Sequence, residues 1–185
     1  MIQIKGINSK IKKQEEKDFY IASRILTESF NPDMNIEVSP TPDMYYVDLW
    51  GICKYPDGDN VKFNVEIKER KKDNSALIDS PYAELKVDKY NRMRLVTDSD
   101  TKLFYMVLLN DETCYLYDLD NPDVWKDVKI KEWKMKRTQF SPEEDMITVN
   151  TYFFPYSSAT RKINYSCIYR DWFINELNYG LDKES

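Results

Sequence analysis

Asp48, Glu66 and Lys68 are the residues of this chain whose types and spacing could do chemistry. Two carboxylates brought face to face hold a hard divalent cation, which polarises a phosphate oxygen and lowers the pKa of a bound water. A lysine beside them orients that water or neutralises developing charge. Spelling alone carries little, because acid-x-Lys also occurs at Glu15/Lys17, Glu69/Lys71, Glu84/Lys86, Asp100/Lys102, Asp127/Lys129 and Glu132/Lys134. The elements around Glu66-Ile67-Lys68 set it apart.

Those elements are two strands, YYVDLWG at 45–51 and VKFNVEIKER at 61–70, joined by the turn-like YPDGDN. In the second, Phe63, Val65 and Ile67 alternate with Asn64, Glu66, Lys68 and Arg70; in the first, Val47 and Leu49 alternate with Tyr46, Asp48 and Trp50. Each strand therefore has an apolar face and a chemical face. A hairpin centred on Asp57, inside the Pro-Asp-Gly signal, pairs positions whose numbers total about 114, which sets Asp48 across from Glu66 and Lys68 one pleat further along. A slip of one residue would turn Asp48 to the wrong face.

The chain has no histidine. Ser-His-Asp triads, Cys-His pairs, HExxH zinc sites and nucleases with a histidine base are thereby excluded in their usual forms. Carboxylates, lysine or tyrosine must do any catalysis, and oxygen ligands favour magnesium or manganese over zinc. Cys53, Cys114 and Cys167 are far apart, with no CxxC to suggest a zinc site or a disulfide framework.

At 185 residues the chain is expected to fold as a single domain, residues 1–185, with a core over about 14–118 and a C-terminal β-rich extension over about 119–185. Its 42% apolar and 32% charged content suits a soluble globular protein. No apolar run reaches a membrane span and the start has no secretory apolar region, so the expectation is cytoplasmic, with no membrane partner. The net charge of -5 counts against a nucleic-acid partner. Yet cations cluster at Lys68 and 70–72, and again at Lys126, Lys129, Lys131, Lys134, Lys136 and Arg137, where the plain alternative is a solvated face.

Phe19, Ala22, Ile25, Leu26 and Phe30 recur at helical spacing and predict a first helix over about 14–30. The proline-punctuated stretch 31–44 reads as a connection, and KKDNSALID as a link. Ser80-Pro81 reads as the start of a second helix running to about Val96. KLFYMVLLN at 102–110 is a central strand, and DETCYLYDLD supplies a turn and its partner. Further strands are expected at WKDVKIKEWKMK, MITVNTYFFPY and KINYSCIYR, with a short helix at DWFINELNY.

The helix, strand pair, helix and strand, with Asp48, Glu66 and Lys68 on the pair, resemble the PD-(D/E)XK nuclease superfamily over roughly residues 14–118. The resemblance implies a restriction-endonuclease-like α/β fold: a mixed central β-sheet flanked by helices, with the acid, acid and lysine at the sheet's end. It implies a magnesium-dependent nuclease, with manganese as a substitute, hydrolysing phosphodiester bonds in DNA. Asp48 and Glu66 would hold the metal, Lys68 would stand near the attacking water, and the Ile67 carbonyl would be a further ligand.

A helix acid is expected as well. Glu16, and less clearly Glu15, precede the apolar stripe suitably, whereas Glu28 falls on the solvent face. Lys86, Lys89 and Tyr90 on the second helix, and Arg161 and Lys162 beside a late strand, are candidate nucleic-acid contacts; the alternative for the helix is exposed lysines with Tyr90 packed inward. Two departures stand out: Val47 rather than proline precedes Asp48, and the literal Pro42-Asp43 lies upstream, where facing Glu66 would need a hairpin centred near residue 54, off the turn signal. Together with the acidic charge, the missing proline leaves open a catalytically inactive nuclease-like domain that binds nucleic acid or a protein partner. Cutting both strands would require a homodimer or two visits.

Overall fold

The computed structural model describes residues 9–29, 35–41, 46–56, 58–70, 81–136 and 146–181. Its elements in chain order are α1 (Ser9–Ser29), β1 (Asn35–Pro40), β2 (Leu49–Lys54), β3 (Asn60–Arg70), β4 (Tyr82–Lys86), α2 (Val87–Leu95), β5 (Thr101–Leu109), β6 (Thr113–Asp118), α3 (Pro122–Trp125), β7 (Lys129–Lys136), β8 (Met146–Pro155), β9 (Arg161–Asn164) and α4 (Ser166–Leu181). The fold is mixed α/β. A six-stranded sheet runs β1-β2-β3-β5-β6-β9, and a second sheet runs β4-β8-β7. Within the first, β3 and β5 are parallel and the other neighbours antiparallel.

The chain from β3 to β5 passes through β4 and α2, the long crossover that a parallel pair requires. That crossover gives the large sheet two unlike covers. On one face Phe63 and Val65 of β3, Phe104, Met106 and Leu108 of β5 and Leu116 of β6 pack with Ile21, Ala22, Ile25 and Leu26 of α1 and Ile168 of α4. On the other, Leu103, Tyr105, Val107 and Leu109 of β5 and Tyr115 and Tyr117 of β6 pack with Ala83, Leu85, Met93 and Phe154. With both faces covered, β5 is buried continuously from Leu103 to Leu109, as its unbroken apolar run demands.

The β2–β3 hairpin has the expected register: Leu49 pairs with Val65, Trp50 with Asn64 and Lys54 with Asn60. Asp57 lies outside the described residues, and Gly58 next to it has φ +96°, the left-handed conformation that favours glycine. Gly51 is required for another reason. The Phe63 ring lies over it, so an added Cβ would fall 2.3 Å from Phe63 Cζ and 2.7 Å from the Glu37 carbonyl.

Four expected elements differ. The first strand of the pair begins at Leu49, not Tyr45; residues 46–48 bend, so Val47 packs in the cluster opposite to that of Leu49. The stretch read as a connection contains β1, whose Ile36 and Val38 pack on the first core. It is an edge strand, which tolerates Pro40 at its end. The helix expected from Ser80-Pro81 is instead β4 followed by α2, because Ala83 and Leu85 alternate inward against Phe154 and Tyr152 of β8. KINYSCIYR is a strand only to Asn164. The Asn164 side chain accepts from the Ser166 backbone N–H at 3.1 Å, and α4 carries on from Ser166, with Ile168 and Trp172 at helical spacing.

Among its described residues, the region after residue 119 supplies three strands: β7 and β8 belong to the second sheet and β9 joins the first, while Trp172 of α4 meets Tyr20 of α1 at 5.3 Å. Among the described residues no helix is long and apolar enough to cross a membrane.

Candidate functional site

β3 outruns β2. The β2 ladder ends at Leu49–Val65, while β3 continues through Arg70, paired among the described residues only with β5 on its other side. This leaves a notch in the sheet, and Asp48 sits at its corner. The Asp48 backbone N–H donates to the Val65 carbonyl at 3.0 Å, and its Oδ2 accepts from the Ile67 backbone N–H at 2.7 Å. The bend before Asp48 is held from Thr41, whose N–H donates to the Asp48 carbonyl at 3.1 Å and whose hydroxyl donates to the Val47 carbonyl. A strand turns the N–H and C=O of one residue to the same side. The Ile67 carbonyl therefore opens onto the same edge as Asp48.

Asn64, Glu66, Lys68 and Arg70 occupy the face of β3 under the second sheet. Glu66 Oε2 is buried and forms an ion pair with Lys89 Nζ of α2 at 2.8 Å. Burial first, and the neighbouring Asp48 charge second, push the Glu66 carboxyl up to about 8 against the pull of Lys89. Loss of hydration is thus the main obstacle to the charged form of Glu66, and the Asp48 charge adds to it. Lys68, one pleat on, is reached by solvent, yet partial burial and the nearby Arg70 and Lys86 charges lower its pKa while Glu66 and Asp48 oppose them.

Further along β3 the charges are fully matched. Arg70 Nη2 donates to the Glu84 carbonyl at 3.1 Å and to Glu84 Oε2 at 3.3 Å, and Tyr105 Oη donates to the same carbonyl at 2.8 Å. In the other direction Asn64 Nδ2 donates to Thr97 Oγ1 at 2.9 Å. A cleft of about 460 Å³ runs along this end of the hairpin, lined by Thr41, Trp50, Lys62, Asn64, Val96 and Thr101, with Trp50 43% exposed. It falls in the size range of small-molecule sites.

The expected site residues scatter. Asp48, Glu66, Lys68 and the Ile67 carbonyl share the notch, and Lys89 joins them from α2. Lys86 is not on the helix: it ends β4, near enough for its charge to act on Lys68. Tyr90 packs inward against Trp125 at 5.1 Å and Tyr152 at 5.6 Å, and its hydroxyl accepts from Arg94 Nε.

Glu16 is exposed on α1, the helix that covers the opposite face of the sheet, and the adjacent Lys17 pairs with Glu69 there at 2.9 Å. It is therefore not brought onto the Glu66 face. Glu28 is exposed beside Arg24, as its helix angle required. Arg161 and Lys162 lie on β9 at the far edge of the sheet, three strands from β3. Pro42 and Asp43 are outside the described residues.

Sequence reasoning missed Arg92, one helical turn beyond Lys89, whose guanidinium lies 5.7 Å from the ring centre of Tyr46 beside Asp48. The available signal was its i, i+3 spacing from Lys89. No family model, no curated protein and no solved structure matches the chain.

Among the described residues no group of three or more histidine, cysteine, aspartate or glutamate side chains could hold a metal ion. The two acids in the notch nevertheless fit a magnesium-type cation, which keeps several waters and needs only one or two carboxylates. Glu66 Oε2 is shielded from solvent with Lys89 as its one charged neighbour at 2.8 Å, and the Asp48 charge stands against it. A dication there would relieve both.

Proposed function

We propose that this chain is a cytoplasmic metal-dependent nuclease of the PD-(D/E)XK type that hydrolyses phosphodiester bonds in DNA. The observation that carries the reading is the Glu66 carboxylate, with Oε2 shielded from solvent and paired with Lys89, held beside Asp48 at the end of a four-strand mixed sheet segment, β1-β2-β3-β5, with helices on its faces. An exposed acid kept against a half-buried acid of like charge weakens a fold unless a cation or a reaction uses the pair.

Asp48, Glu66 and the Ile67 carbonyl would hold the cation, which when bound supplies an activated water and a polarised phosphate oxygen. Lys68, with its depressed pKa and its place one pleat along, is suited to hold that water by hydrogen bonding or to balance charge on the phosphate. Lys89 and Arg92 line the same side of α2 and would contact adjacent phosphates once Glu66 is engaged by the cation. Exposed Trp50 in the cleft offers a ring on which a base can stack.

The test is cleavage of linear, branched and single-stranded DNA and RNA with magnesium, manganese or chelator. Metal-dependent cleavage lost in Asp48→Asn supports the reading. Cleavage that survives chelation, or equal activity in Asp48→Asn, overturns it.

A further inference from the structure

The second sheet has a feature that the notch does not need. β4 pairs with β8 only from Lys86–Thr151 to Tyr82–Pro155, whereas β7 pairs with β8 along its whole length, from Lys129–Phe153 to Lys136–Met146. Beyond Thr151, residues 132–136 and 146–150 run on as a two-stranded ribbon, with no third strand among the described residues. At the rise of an antiparallel strand, that projection is roughly 17 Å long. Its root is at the site: Lys86 pairs with Thr151, which pairs with Lys131, and Lys86 directly precedes the helix that carries Lys89 to Glu66.

The ribbon's charge runs against that of the chain. β7, KIKEWKMK, has four lysines and one glutamate, and its partner β8, MITVNTYFFP, has no charge, on a protein of net charge -5. Opposite Lys131 stands Thr151, opposite Lys134 Thr148 and opposite Lys129 Phe153, so no cross-strand carboxylate neutralises them. Lys131 lies 5.4 Å from the ring centre of Phe153, and Lys129 Nζ donates to Tyr82 Oη at 3.1 Å. The alternation of the strand puts Lys131 on one face and Lys134 on the other. Ile130 and Trp133 are 61% and 48% exposed on the same strand.

We propose that the β7–β8 ribbon is an arm that lies in the major groove of duplex DNA and, by holding the duplex, presents a phosphodiester to the notch. The groove is about 12 Å wide and admits a two-stranded ribbon, and lysines on both ribbon faces reach the phosphates on both walls. Trp133, exposed on the projecting part, supplies an apolar contact to base edges. Lysines spaced along the edge strand β7 repel a second copy of themselves, which disfavours edge-to-edge pairing of this chain. The proposal rests on the nuclease reading only for the duplex being a substrate.

The experiment measures binding of the whole chain to a fluorescent 20-base-pair duplex by anisotropy, with chelator present, over a salt series. Lys131 and Lys134 are exposed, and thermal melting checks that Lys131→Gln/Lys134→Gln is folded. Loss of two phosphate contacts is expected to reduce the slope of log affinity against log salt by about 2 and to weaken binding on the order of tens-fold at 0.1 M salt. An unchanged slope and affinity, or no binding by the parent chain at low salt, overturns the arm. Loss of self-association in the variant without loss of DNA binding also overturns it, in favour of a second copy. Cleavage assays separate the two readings: cleavage with ribbon-independent binding sinks the arm alone, and ribbon-dependent binding without cleavage under any metal sinks the nuclease alone.

Discussion

β3 carries two charged clusters about 13 Å apart, four residues along one strand, and they are built on opposite principles. At Arg70 every group is answered: the guanidinium meets both the carbonyl and the carboxylate of Glu84, and Tyr105 donates to that carbonyl. At Glu66 one half-buried acid stands beside a second acid, with Lys89 paired to one of its oxygens and Lys68 one pleat on. The first arrangement ties β4 to the main sheet. The second ties the bend before β2 and the helix α2 to β3, but does so by holding two like charges together, which is the physical reason for assigning function to it and structure to the first.

The sharpest way to break this contrast is to neutralise each cluster in turn and read both activity and stability. Asp48→Asn and Glu66→Gln are expected to lower metal-dependent cleavage by at least about 10²-fold, since several kcal/mol of charge stabilisation at the phosphate is lost. Neither should destabilise the fold, because each removes a like-charge contact. If urea denaturation finds Glu66→Gln clearly less stable than the parent at pH 8, Glu66 belongs to the structural class after all.

Arg70→Met should do the reverse. It leaves the half-buried Glu84 carboxylate and carbonyl short of a donor, an expected cost of about 1–3 kcal/mol in urea denaturation. Metal-dependent cleavage by the folded fraction should stay within severalfold of the parent. Loss of activity as severe as in Asp48→Asn, at unchanged stability, would move Arg70 into the site.

How much of this contrast could be read beforehand differs from residue to residue. The register that faces Asp48 to Glu66 was legible because a Pro-Asp-Gly turn and two alternating runs leave one antiparallel pairing. The notch was not, since it depends on where β2 stops, and the bend at 46–48 is held by Thr41, far from any strand signal. α2 was placed correctly in the crossover, but its start was not: Lys86 caps it without a side-chain bond, so the only visible start signal was the misleading Ser-Pro upstream. Helical spacing positioned Glu16 relative to its own apolar stripe. It could not say which face of the sheet α1 would cover, and that is a tertiary choice.

Acidity offers a finer contrast between the clusters. Glu66 has its pKa raised from 4.5 to about 8 in the fold, so between those values the native state holds a proton that the unfolded chain releases. Stability from this group is therefore present below about pH 4.5 and is lost as pH rises toward about 8. Comparing the parent with Glu66→Gln by urea denaturation at pH 5, 6.5 and 8 should show the parent losing stability relative to the variant with each step. A constant difference across the series would mean that Glu66 ionises normally. The same proton competes with a cation, so manganese affinity measured by calorimetry should rise over this range in the parent and not in the variant.

Lys89 gives the smallest and most discriminating effect, because it acts on Glu66 in two opposing ways. As the positive charge 2.8 Å from Oε2 it favours ionised Glu66, and as an occupant of that oxygen it competes with a cation. Lys89→Met removes both. The Glu66 pKa should move further up, so the pH midpoint of manganese affinity shifts to higher pH, while the affinity reached above that midpoint becomes tighter than in the parent. With 31% of its side chain exposed, Lys89 is partly screened, and both changes should be modest beside those at Asp48. A lower midpoint, or weaker affinity at all pH values, would show that Lys89 supports the cation site rather than standing in for its occupant.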